Sequence, residues 1–108
     1  MDYSQLSDFE INKLIGIALG KELMPDDFQD FGLAGFSEVM LRNGDFKDYC
    51  SDPADAWPII ESNKISLTYH PSRDEWSAVF NSENIAMHGS PLRAAMIVFL
   101  MMQDANHA

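Results

Sequence analysis

The chain has 108 residues, 17 acidic and 7 basic, with a formal net charge of -10 and a pI near 4.4. That length suits one domain, 1–108, burying roughly two-thirds of the surface its unfolded form exposes, and 46% apolar residues exclude a disordered acidic tail. The charge excludes ordinary nucleic-acid or anionic-membrane binding, which depend on Lys and Arg meeting phosphate, and one cysteine excludes an internal disulfide.

Ser7-Asp8-Phe9-Glu10 is a capping box that starts a helix over 8–19, with Leu6 and Ile11 as a hydrophobic staple and Gly20 as the stop. From Lys21 to Gly35, Pro25, Gly32 and Gly35 break any regular pattern, and Phe28, Phe31, Leu33 and Phe36 predict a loop pinned onto the core. Glu38–Arg42 predicts a strand closed by the turn Asn43-Gly44, with Asp45–Cys50 as its hairpin partner. Asp52 caps a second helix, with Pro53 at its first position and Asp55 in its electropositive first turn. Pro58 inside that helix predicts a short, kinked or partly 3₁₀ element reaching about Glu61.

Ile65, Leu67 and Tyr69 alternate with Ser66, Thr68 and His70, the pattern of a strand with one buried face. A hairpin loop follows over His70–Glu75. Trp76, Ala78 and Phe80 then alternate with Ser77 and Val79, and a third strand is expected around Ile85–Met87. Ser90-Pro91 caps a last helix running to about Asp104. From Leu92 to Met102 only Arg93 is not apolar. At 1.5 Å per residue that run spans about 16 Å, too short for the roughly 30 Å of a bilayer. A helix apolar all round must be covered on most sides. The cover is either the monomer core or a homodimer interface through the 91–104 helix. The fold class expected is α+β, a small antiparallel sheet flanked by helices.

Asp48-Tyr49-Cys50, Pro53-Ala54-Asp55-Ala56-Trp57-Pro58-Ile59-Ile60, Ile65-Ser66-Leu67 and the run from Pro91 to Gln103 resemble the NinX-like family of small phage proteins. The opening Met1-Asp2-Tyr3-Ser4, with Ser7-Asp8-Phe9-Glu10-Ile11-Asn12-Lys13, is similar too. The resemblance covers both ends and the middle, leaving out mainly 21–46 and 81–89. Its residues are packing and capping residues, so it implies an origin, a phage or prophage accessory gene expressed in a bacterial cytoplasm, and no chemistry. Tyr69-His70-Pro71 through Trp76-Ser77-Ala78-Val79-Phe80 to Gly89-Ser90-Pro91 is also similar to phage domains of the ABA-sandwich type, in which helices flank a small antiparallel sheet.

Catalytic signals are weak. Cys50, His70, His88 and His107 lack paired metal-ligand spacing, so no metal and no cofactor are expected. Asp48 and Asp52 flank Cys50 and disfavour its thiolate. Gly32-Leu33-Ala34-Gly35 lacks the Lys-Ser/Thr of a phosphate loop. Asp26-Asp27 and Asp74-Glu75 fall in predicted loops, where solvated acids are the ordinary explanation. An enzyme is not expected. The order helix, three strands, helix imitates a double-stranded-RNA-binding domain, but that function needs a basic surface this chain lacks.

Acidity is the strongest functional feature. Through Asp55 there are twelve acidic and four basic residues, net -8; the remainder holds five and three, net -2. Asp26, Asp27, Asp30, Asp45 and Asp48 are therefore candidate contacts for a basic host protein. Solubility is the plain alternative explanation of such charge. A second functional reading is a nucleotide-like ligand held by Trp57, Tyr69 and Trp76 with His70, Arg73 and Arg93 through stacking and phosphate contacts. Against it, both tryptophans occupy positions that their patterns turn inward. A third reading is an assembly factor whose main property is its own dimer.

Overall fold

A computed structural model describes residues 2–29 and 37–106. Asp30 lies outside the described residues, as do Phe31, Leu33 and Phe36 of the expected pinned loop and His107. The first helix, α1 (Asp8–Ala18), begins at the capping box. Ser7 Oγ accepts from the Glu10 N–H at 3.1 Å, and Glu10 Oε1 accepts from the Ser7 N–H at 3.1 Å. Leu19 and Gly20, at φ +76°, end it.

The expected hairpin of 38–50 shrinks to β1 (Val39–Met40) and β2 (Phe46–Lys47), antiparallel around the Asn43-Gly44 turn. The cause lies in what takes the backbone groups beyond it. The Cys50 N–H goes to Asn12 Oδ1 at 3.1 Å, and the Asp48 carbonyl is taken by the Ser51 and Asp52 N–H groups. Ladder bonds have no partners left there.

Helix α2 (Pro53–Asn63) starts at Asp52, whose Oδ1 accepts from the Ala54 N–H at 2.9 Å. It is an unbroken α-helix through Pro58, not the short or partly 3₁₀ piece expected. Pro58 removes one bond, to the Ala54 carbonyl, and Ala54 sits in the exposed first turns, where that loss is open to solvent. Lys64, left-handed at φ 55°, closes the helix.

Strands β3 (Ser66–His70), β4 (Glu75–Asn81) and β5 (Asn84–His88) form an antiparallel sheet in that order. Leu67, Ala78 and Ala86 lie in register across it and pack toward the core. Tyr69 is not buried as its alternation predicts. It is 42% exposed near the end of an edge strand, tilted against Trp76 with ring centroids 5.3 Å apart. Phe80 is also exposed, because the register shifts between Val79 and Asn81 and the alternation fails there.

The last helix, α3 (Pro91–Asn106), is the middle layer. β4 and β5 pack on it from one side, and α1 and α2 pack on it as a second layer. Ala94 to Leu100 are all buried within the single chain, which accounts for a run apolar on every side. Leu92, Met101 and Met102 remain half-buried. Among the described residues the protein is an α+β fold of three α-helices and two small antiparallel sheets, with the three-stranded sheet packed on α3.

Tyr3 fastens the N-terminal segment to the far end of α3 by donating to Asp104 Oδ2. Burial first, then the hydrogen bond and charge of Asp104, push its phenol from 10.0 up to about 12. The fold favours the neutral phenol, so this contribution is complete below the unfolded value and disappears as pH rises through about 12. Between those two values the parent is expected to lose about 2 kcal/mol more than Tyr3→Phe loses. Denaturant midpoints at stepped alkaline pH measure the difference, and parallel curves for the two proteins would contradict it.

Candidate functional site

The acidic positions singled out by sequence do not behave alike. Asp27 and Asp45 are exposed. Asp26 pairs with Lys13 at 2.9 Å yet keeps an 81% exposed side chain. Asp48 is a structural residue: its Oδ1 accepts from Asn12 Nδ2 at 3.0 Å and its Oδ2 from Ser37 Oγ at 2.7 Å. Both oxygens are committed inside the protein.

The structure groups Asp48 with three acids outside that set. Glu38, Asp48, Asp52 and Asp55 line a cleft of about 360 Å³ between the β1–β2 hairpin and the start of α2, with half-exposed Phe46 in its wall. Asp55 accepts from the Asp48 N–H at 2.9 Å and lies 3.5 Å from Lys47, so its charge is largely answered. Asp52 stays exposed while capping α2. The sequence signal was present in the spacing Asp48, Asp52, Asp55. What it lacked was the fold of the hairpin that adds Glu38 and Phe46.

Beneath the cleft lies a polar node that sequence reasoning missed. Asn12, fully buried, donates to the Ser37 carbonyl at 2.8 Å and to Asp48, and accepts from the Cys50 N–H. An Asn between Ile11 and Ile15 on the apolar side of α1 was the available signal. Gln29 does the same work nearby, donating to the Met24 and Met40 carbonyls and accepting from the Met40 N–H at 2.8 Å. Cys50 is 1% exposed, and burial, helped by Asp8, pushes its thiol well above the usual range. Such a thiol is inert.

Of the aromatic and cationic residues considered for a nucleotide, Tyr69, His70, Arg73 and Trp76 share the β3–β4 hairpin, while Trp57 lies on α2 and Arg93 on α3. Trp57 is 54% exposed, one position off the Ala56, Ile59 and Ile60 stripe that buries α2, and its Nε1 donates to Glu61. It is therefore not core. Trp76 is half-buried against Tyr69, whose hydroxyl donates to Asp74. His70 Nε2 bonds Ser77 Oγ at 2.9 Å, and Arg73 Nη1 lies 3.8 Å from Met87 Sδ. Arg93 is 7% exposed. Its Nη1 donates to Asp8 at 2.6 Å and its Nη2 to the Leu6 and Ser4 carbonyls at 2.8 and 3.2 Å. This guanidinium ties the N-terminal segment to α3.

Among the described residues no group of three or more His, Cys, Asp or Glu is placed to hold a metal ion, and no helix is long and apolar enough to cross a membrane. No curated protein and no solved structure matches the chain. Residues 2–103 match the family described as bacteriophage P22 NinX. With the match running across nearly its whole length, the chain belongs to the NinX family of phage proteins.

Proposed function

We propose that this NinX-family protein is a non-enzymatic phage accessory protein that works in the bacterial cytoplasm by sequestering a host protein through its acidic half. The observation that carries the reading is the cleft that Glu38 and Asp52 line together with half-exposed Phe46. A Lys or Arg entering it meets carboxylates at its head and an aromatic ring along its stem, the combination that retains cations on a protein surface. Asp27 and Asp45, both exposed, extend the negative field beyond the cleft and speed the approach of a basic partner.

The test uses gently purified protein from host cells and native mass spectrometry of what it retains at low salt. The expected result is a host protein in fixed stoichiometry, lost as ionic strength rises from about 0.05 to about 0.3 M, where exposed charges are screened. The triple substitution Glu38→Gln, Asp45→Asn, Asp52→Asn should weaken retention at least tenfold without unfolding the chain, because Asn caps a helix as well as Asp does. A partner held equally by the triple variant would overturn the acidic-face reading.

A further inference from the structure

A second cleft, of about 390 Å³, shares Asp55 with the acidic one and opens between the end of α1, β2 and α2. Its chemistry is the opposite. Leu19 at the end of α1 and Ala54, Pro58 and Ile59 of α2 supply apolar wall, and Lys21 and Lys47 stand in the same wall. Two of the chain's seven basic residues thus meet in one concavity of a protein whose net charge is -10. Lys21 is exposed and has no ion pair among the described residues, while Lys47 is shared with Asp55 at 3.5 Å. Summed over Lys21, Lys47 and Asp55, the cleft carries one uncompensated positive charge.

Its deeper wall is also unfinished. Tyr49, 3% exposed, belongs to the wall, and its hydroxyl is buried with no hydrogen-bond partner among the described residues. Buried polar groups are normally paired, and an unmet donor in the wall of a cleft marks where a group from outside completes the bonding.

We propose that this cleft binds a small organic carboxylate with an apolar body, the carboxylate between Lys21 and Lys47 and the body on Leu19, Pro58 and Ile59. The single uncompensated charge matches a monoanion. A phosphate dianion would be opposed by the charge of the whole chain, and a neutral ligand would leave Lys21 unanswered. The site is separate from the acidic docking face in both ligand and residues, Asp55 excepted.

The experiment is an NMR titration of the amide signals of the full chain with phenylacetate. The expected result is saturable shifts at Leu19, Lys47, Tyr49 and Ile59 with a dissociation constant of about 1 mM, what about ten well-seated heavy atoms deliver. Lys21→Gln should weaken binding about threefold to tenfold, the effect of one partly exposed ionic contact. Ala54→Met, at an exposed helical position that accepts a longer side chain, should fill the cleft and abolish binding. Glu38→Gln, which belongs to the other cleft, should leave it unchanged. Shifts that do not saturate would overturn the proposal, and so would equal binding of phenylacetamide or tighter binding of phenyl phosphate. Unaltered binding by Ala54→Met would place the ligand elsewhere and overturn it as well.

Discussion

Replacing Asn12 with alanine is expected to destabilise the protein by about 3 kcal/mol, a large share of the 5–15 kcal/mol that holds a typical domain. Asn12 is 0% exposed and joins α1 to three points of the segment that follows it: the Ser37 carbonyl, the Asp48 carboxylate and the Cys50 N–H. Truncation removes three bonds and leaves the buried Cys50 N–H with no acceptor, and an unmet buried donor costs about 1–3 kcal/mol by itself. Asn12→Leu fills the volume and still leaves that donor unmet, so it should be nearly as damaging. Asp48→Ala should cost less, because Asp48 is only half-buried and Asn12 Nδ2 keeps its bond to the Ser37 carbonyl. The double variant should fall short of the sum, as expected for residues in one network. Urea unfolding followed by tryptophan fluorescence measures all four proteins. An Asn12→Leu protein as stable as the parent would show that the node is replaceable by packing alone. The acidic cleft sits on this node through Asp48, so loss of partner binding in Asp48 variants reports the support of the cleft and not a contact.

Arg93→Met is expected to destabilise by about 3 kcal/mol, the lower end for breaking a buried ion pair, because Asp8 is 39% exposed and can rehydrate once released. The Met side chain replaces the stem of Arg93 but not its fork, and the Leu6 and Ser4 carbonyls lose their donor. Arg93→Lys should recover only part, since one ammonium cannot reach Asp8 and both carbonyls with the geometry of a guanidinium. Hydrogen exchange should show the loss first in the segment around residues 4–8, which Arg93 fastens to α3, and only later in α3 itself. Unchanged protection of that segment in Arg93→Met would contradict the role given to the fork. The same result governs any ligand experiment. A binding defect in an Arg93 variant comes through the N-terminal segment, since the guanidinium points inward.

Much of the secondary structure was legible because its signals are local. Ser7 and Glu10 satisfy backbone donors within four residues of each other, and Asp52 with Pro53 sets the first turn of α2 without help from the rest of the chain. The alternation of 65–70 and 76–80 marked two strands, and the ten apolar residues of 92–102 marked a helix that must be covered on most sides. The functional positions were less legible. Asp48 read as a surface acid because its binding partners, Asn12 and Ser37, lie 36 and 11 residues away. Arg93 read as a ligand contact because Asp8 lies 85 residues away.

Composition, caps and periodicity thus determined by themselves that this protein is an acidic α+β domain of three helices and a small antiparallel sheet, and the long motifs at both ends and the middle pointed to the NinX family. Only the tertiary structure decided which acids are free and which are structural, that Trp57, Tyr69 and Phe80 face outward, and that the apolar last helix is covered by its own chain. The physical reason is the range of the forces involved. Capping and strand pattern act between near neighbours in sequence, whereas burial and charge pairing depend on which distant segment arrives to share the same volume.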